Sequence, residues 1–296
     1  MNTSVVDFVR RASTEISTHD EGLLPTLTGL LPAGIAVYVA HTPKSSLDEV
    51  VRVAIKAQSL GFRASPHIVA RRLPSEEALK SGLQQLTAAG VDQVLLVAGD
   101  LEKPAGPFTS TLDVIDTGLL EAAGIKRAGV AGHPEGHKSI PPDTILAALR
   151  HKQAFAARSG IQVHIVTQFG FNPEDICAWD RRFTEAGITL SVHVGIAGPT
   201  PLNKLLKFAM HCGVGASMGS FMKNMGAMAN LARLATTPDE MLLGLIRGCA
   251  AYTGSRLVQP HFYSFGGAVA TAKWLRAVAD GSFTVDDEGR KFVVNA

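Results

Sequence analysis

The residues best suited to chemistry in this chain stand singly at the ends of short apolar runs. Glu15 ends the first run, with His19 and Asp20 just beyond it, and Asp100 follows Gly99 at the end of the fourth. His41 ends the second, His67 lies in the third, and the fifth leads into His133-Pro134-Glu135-Gly136-His137. The sixth ends in Thr167-Gln168-Phe169-Gly170-Phe171 and the eighth in His261-Phe262-Tyr263-Ser264-Phe265. Carboxylates, histidines, one amide and several rings suit a flat, hydrogen-bonding heterocycle. The rings stack on it, and the amide and a carboxylate pair with its N–H groups. Other chemistries lack their residues. There is no HxH or HExxH pair and the acids are dispersed, so no metal is expected. No lysine ends a strand, which argues against a Schiff base. GxSxG, a GxGxxG after a strand and a P-loop are all absent.

These residues meet only if the runs are brought side by side. The runs cover 11–17, 35–40, 62–70, 92–98, 127–132, 162–168, 189–195 and 260–265. Several are continuous, as in Val94-Leu95-Leu96-Val97, the pattern of a strand buried on both faces in a parallel sheet. Between them, 45–60 carries a helical stripe of Leu47, Val50, Val51, Ala54 and Ile55, with Ser45 as N-cap and Gly61 as stop. Segments 74–89, 111–123, 142–159 and 173–186 repeat that layout, each ending at a glycine. Eight strands in such units predict one (β/α)8 TIM barrel domain over 1–296. A doubly wound open sheet is the alternative, because periodicity does not show closure. Segment 201–252 is too long for one helix and predicts extra helices between strands seven and eight. Met218, Met222, Met225 and Met228 recur there at near-helical spacing and read as core or lid packing. The polar tail 285–296 is expected to be peripheral.

Bulk properties narrow the class. The 296 residues are 46% hydrophobic and 18% charged, enough for a large core. Net charge is +2, from 28 basic and 26 acidic residues without a block of like charge, so neither nucleic acid nor a membrane surface is an expected partner. Cys177, Cys212 and Cys249 form no CxxC pair, which fits a reducing compartment. The N-terminus carries charge where a signal peptide needs an apolar core, and no apolar stretch is long enough to span a bilayer. A soluble, cytoplasmic protein is expected; a homo-oligomer is compatible with the sequence.

The runs also carry a resemblance. Leu95-Leu96-Val97-Ala98-Gly99-Asp100 resembles the "ALRGD" strand of methylenetetrahydrofolate reductases, and Gly132-His133-Pro134-Glu135-Gly136-His137 their "YPExH" loop. Thr167-Gln168-Phe169-Gly170-Phe171 resembles "TQFFF", Val194 to Pro199 "xGIxPx", His261-Phe262-Tyr263 "HFYTLN", and Ser65-Pro66-His67 "PHLTC". Ser13-Thr14-Glu15-Ile16-Ser17 is similar to "SFEFFPP" but lacks the prolines. The matches occur in the family's order over nearly the whole chain. The resemblance implies a one-carbon oxidoreductase reducing 5,10-methylenetetrahydrofolate to 5-methyltetrahydrofolate, with FAD at the barrel mouth and NADH or NADPH as donor. It implies Glu15 as proton donor, its pKa raised toward neutrality by burial. Asp100 would pair with the pterin and tune the flavin. Gln168 would hold the pterin, with Phe171 and Tyr263 also toward the substrate. His67, Gly99, His133, His137 and Lys152 would contact the flavin, Lys152 at its phosphate.

The sequence departs from the family at Ala98, which replaces the arginine of "RGD", and at Val39, near a flavin-contacting threonine. His41 stands where a glycine turn is expected, Gly170 replaces a phenylalanine, and Gly266-Gly267 replaces an "NR" pair. A flavin-independent reductase, another folate-dependent one-carbon enzyme and a folate-binding barrel without reductase activity are therefore alternative readings. Read alone, Glu15 is equally a solvated strand-end carboxylate, Asp100 a loop cap, His67 a core histidine and Lys152 a surface charge.

Overall fold

In the computed structural model, which describes residues 2–212 and 235–295, eight parallel strands close into a barrel. They are β1 (Ser13–Ser17), β2 (Ala36–Ala40), β3 (Arg63–Val69), β4 (Gln93–Val97), β5 (Arg127–Gly132), β6 (Gln162–Thr167), β7 (Ser191–Ala197) and β8 (Leu257–Tyr263). The order round the barrel is β1-β8-β7-β6-β5-β4-β3-β2. Closure rests on β1, where Ser13 pairs with Ala36 on one side and His261 on the other. An open sheet is thereby excluded. The last two strands lie two to three residues from their expected positions, because apolar loop residues flank both runs.

Each strand is buried on both faces, but the faces differ in chemistry. Outward residues such as Ile16, Val37, Val39, Ile68, Val94, Leu96, Val130, Ile165, Val192 and Phe262 join the helices in one large apolar core. The apolar inward cluster is small: Ala36, Tyr38, Leu95 and Val166, with Val97 against them. Ser13, Ser65, Gln93, His164 and His261 fill much of the rest and are all buried. Barrels of this kind normally fill that space with branched aliphatic side chains.

The polar filling is ordered by a chain of donors. Arg127 binds Asp92 at 2.6 Å and donates from Nε to Gln93 Oε1 at 3.1 Å. That fixes the amide, whose Nε2 donates to the Tyr38 hydroxyl oxygen at 3.2 Å. The Tyr38 proton is left for His164 Nε2, 2.9 Å away, so His164 accepts there as a neutral ring. His193 stacks on it at 4.1 Å.

Helices follow the strands as the stripes predict, with local differences. The helix Leu47–Ser59 is capped by Ser46, in a reciprocal box with Glu49, and not by Ser45. Segment 111–123 divides into Thr111–Asp116 and Leu119–Ala122 at Gly118, whose φ of 71° breaks the helix. Pro142–Ser159 ends at Gly160 in the left-handed conformation, as its C-cap position requires. Two helices, Leu202–Cys212 and Asp239–Ala251, are described between β7 and β8; the four methionines lie outside the described residues. The N-terminal helix Asn2–Arg10, for which the strand pattern carries no signal, buries Val5, Phe8 and Val9. The tail is not peripheral. Phe283–Val285 and Phe292–Val294 form an antiparallel hairpin, and buried Phe292 packs on Trp274 and Phe283. Alternate apolar residues hid that strand in a polar segment. No described helix is long and apolar enough to cross a membrane.

Burial holds the His164 pKa down at about 3, well under its ordinary 6.5. The unfolded chain therefore binds the extra proton first, and stability falls as pH drops below 6.5. At about pH 4.5 this one ring costs roughly 3 kcal/mol. Urea midpoints between pH 7.5 and 4.5 should show that decline. His164→Gln, which keeps an acceptor for Tyr38, should flatten it.

Candidate active site

The C-terminal ends of the strands bring together residues from all parts of the chain. At the floor of this mouth Glu15 Oε2 lies 3.1 Å from His67 Nε2 and 3.8 Å from His261 Nε2. Ser13 Oγ, 2.9 Å from His261 Nδ1, leaves the other ring nitrogen to face the carboxylate. Burial by itself raises the Glu15 pKa, but the charge of His67 and the contacts with both imidazoles outweigh it. The result is a pKa of about 2, opposite in direction to the expectation from sequence. Glu15 is an ionised carboxylate at neutral pH. Glu15 Oε2 and His67 Nε2 attract each other without an aligned hydrogen bond, and both atoms are buried.

Above β3 and β4 two arginines shape the rim. Arg71 donates from Nε to the Leu101 carbonyl (2.6 Å), from Nη1 to Thr109 (3.0 Å) and from Nη2 to Glu102 (2.7 Å). One guanidinium thus holds the loop that starts at Gly99. Gly99 itself has a φ of 92°, and a Cβ there would stand 2.5 Å from Val69 Cγ1, so no side chain fits. Arg72, largely buried, pairs with Asp100 at 2.9 Å, while the Asp100 side chain is 63% exposed and faces the solvent side of the mouth.

The loop after β5 forms a second cluster. His133 and His137 meet edge to face at 5.1 Å. Burial, then the charges of His137 and Lys152, lower the His133 pKa to about 4. Lys152 is 7% exposed, not a surface charge, and burial lowers its pKa to about 8. His133 Nδ1 is buried without a hydrogen-bond partner among the described residues. An anion joining groups desolvated in this way favours their charged forms.

Aromatic residues form the opposite wall. Tyr263, in register with Glu15, crosses above Gly195 and donates to the Thr167 carbonyl at 2.9 Å. A Cβ on Gly195 would come within 2.8 Å of the tyrosine ring and 2.3 Å of that carbonyl. Phe169 meets Phe171, Tyr263 and Phe265 edge to face. The Gln168 Oε1 turns back to accept from the Phe169 N–H at 3.1 Å. Gly170 lies under the Glu135 carboxylate, 3.2 Å from where its Cβ would stand.

Residues 28–226 match the family described as Methylenetetrahydrofolate reductase, about two thirds of the sequence. The chain belongs to the methylenetetrahydrofolate reductase family. It is an oxidoreductase, of the folate-related reductase class. Among solved structures it is similar to dihydropteroate synthase (FolP) from Thermus thermophilus, at 14% identity and a TM-score of 0.47 over 90% of this chain and 93% of that one. Triosephosphate isomerase from Bartonella henselae matches at 10% identity and a TM-score of 0.43, over 92% and 98% of the two chains.

In this methylenetetrahydrofolate reductase family member, Glu15, His67, Gly99, Asp100, His133, His137, Gln168, Phe171 and Tyr263 lie in the strands or in the loops that follow them, and Lys152 is close enough to His133 to affect its charge. Val39 is different: it points outward into the helix layer. Tyr38 is inside the barrel, fully buried, with its pKa raised by that burial. His41 gives Nε2 to the Ser45 carbonyl at 3.0 Å. Sequence reasoning missed Ser13, Arg71 and Arg72 as site residues and placed His261 at a strand end without giving it a role. His261 stands two residues before Tyr263 on an inward face, and that alternation was the available signal. Arg71 carried none, because its partners are backbone carbonyls. The residues fit a flavin dinucleotide: an orphaned His133 nitrogen and a desolvated Lys152 suit a diphosphate, and the rings suit a flat heterocycle.

Arg71→Ala should free the loop it holds. Hydrogen exchange over 99–109 is expected to rise, with a stability loss of roughly 1–3 kcal/mol. Unchanged exchange there would show that the clamp is not needed.

Proposed function

We propose that the protein reduces 5,10-methylenetetrahydrofolate to 5-methyltetrahydrofolate, with FAD as cofactor and NADH or NADPH as donor. The observation that carries this reading is the 3.1 Å contact between Glu15 and His67 at the floor of an aromatic mouth. In the reaction the bond from the bridging methylene to N10 breaks. N10 gains a proton, and the methylene carbon gains a hydride and becomes the methyl group on N5. The proton must come from a group that keeps it in a nonpolar, enclosed site. We assign this task to Glu15 together with His67, whose Nε2 lies 3.1 Å from Glu15 Oε2. His261, locked by Ser13, keeps the carboxylate in place from the far side.

The other residues bind and orient. Asp100, steered by Arg72, and Gln168 pair with the pterin edge. Phe171 and Tyr263 supply flat apolar surface. His133, His137 and Lys152 hold the cofactor diphosphate, and Gly99 lets the chain pass close to it. Bound FAD supplies the hydride relay between the nicotinamide donor and the substrate. Val39 facing away from the mouth supports a second reading, a flavin-independent reductase in which the same anion cluster holds the nicotinamide dinucleotide.

The absorbance spectrum of the purified protein separates the two: flavin bands are expected for the first and none for the second. Absence of NAD(P)H-dependent reduction of methylenetetrahydrofolate, with and without added FAD, would overturn both. Glu15→Gln should keep folate binding while turnover falls roughly 100-fold or more. Wild-type turnover in that variant would remove Glu15 from the proton path. Lys152→Met should weaken cofactor binding and leave folate affinity unchanged, as measured by titration of each ligand.

A further inference from the structure

The lower half of the bore, toward the N-terminal ends of the strands, holds polar side chains to which the reaction above gives no task. Arg63 opens β3 and points inward, as the alternation with Ser65 and His67 requires. Its Nε is buried without a partner, and no carboxylate pairs with its side chain among the described residues. Glu15 is the one acid within the eight strands, and it stands at the upper end with His67 and His261. Asp92, on the lower rim, is held by Arg127 at 2.6 Å. Tyr38 stays protonated, because burial raises its pKa. The edge of a guanidinium is thus turned into the bore with no anion facing it, an arrangement that desolvation makes costly.

Further buried groups of the bore lack partners among the described residues. His193 Nδ1 and Gln259 Nε2 come from β7 and β8, where these two residues pair in register. Ser65 Oγ comes from β3, two residues above Arg63. The Arg63 charge reaches His193 and His164 across the bore. Burial first, and this charge among those that follow, hold both rings well below their ordinary 6.5. Arg63 Nε and Gln259 Nε2 can only donate, and the serine hydroxyl and the neutral ring each have one proton to give. Donors from both sides of the bore therefore outnumber acceptors. Arg63, His193 and Gln259 point inward yet are only half-buried, so open space at least a water molecule wide adjoins them. Buried polar groups left in this state mark a bound water or ion. A water answers the donors but not the charge of Arg63, whereas an anion answers both.

We infer that the lower bore binds one small monovalent anion of halide size, held by Arg63 Nε, Gln259 Nε2, His193 Nδ1 and Ser65 Oγ. One guanidinium and three neutral donors match a single negative charge, which argues against phosphate or sulfate. The ion enters from the rim at the N-terminal ends of the strands, opposite the mouth, and takes no part in the reaction. It ties β3 to β7 and β8 through the bore. Because the site exists only when those strands are assembled, binding adds to the stability of the closed barrel.

The test compares melting in sodium chloride with melting in sodium gluconate, whose anion is too large to enter, at equal ionic strength. Chloride should raise the wild-type midpoint by roughly 2–6 °C, with saturation as its concentration rises. Arg63→Met should melt at one temperature in both salts, and Gln259→Leu should lose most of the difference. Where Arg63→Met does not fold, Gln259→Leu decides by the same comparison. Crystals of the wild type grown in sodium bromide should show an anomalous scattering peak in the bore beside Arg63 Nε. A wild type indifferent to the anion, variants that keep the full chloride effect, or water alone at that place with bromide only outside the bore would each overturn the proposal.

Discussion

A carboxylate enclosed in a barrel must find polar partners or take up a proton, and the fold answers this for Glu15 with two imidazoles. Desolvating one ion costs several kcal/mol, so a buried charge persists only among partners fixed close to it. His67 and His261 come from β3 and β8, and the strand pairings set their distances. The barrel is therefore part of the electrostatics of the site. A one-residue slip of either strand would turn its histidine into the helix layer and leave Glu15 without that partner.

The same demand explains the division between the two faces of the strands. The outer face packs aliphatic side chains against helices and supplies most of the hydrophobic stabilisation. The inner face gives up part of that gain to polar groups, and directional bonds order them. From Arg127, which also donates to Asp92, donation runs one way through Gln93 and Tyr38 to His164. Such a chain tolerates few substitutions, since a lost member leaves a buried neighbour unsatisfied.

Much of this was legible in the sequence, for reasons that differ by residue. Continuous apolar runs and terminal glycines marked five of the strand–helix units, because burial on both faces and left-handed caps restrict residue type. The barrel mouth then collected Asp100, Gln168, His133 and Tyr263, as strand ends must. The ionisation of Glu15 was not legible. Burial alone argued for a raised pKa, and only the positions of His67 and His261, distant in sequence, reverse it. Lys152 reads as a surface charge until the helix is seen to turn it inward beside His133. The C-terminal hairpin escaped because its alternation is short and its partner, Trp274, lies in another element.

Ser13 and His261, which close the barrel, are separated by 248 residues. During synthesis β1 emerges early and waits for β8, the last strand of the barrel. Until then Glu15 has no His261 beside it, and the sheet has two open edges that attract foreign strands. The step that removes the exposed edges is the same step that completes the polar surroundings of Glu15. A nascent or truncated chain is thus both inactive and prone to aggregate, and both conditions end together when the last strand seats.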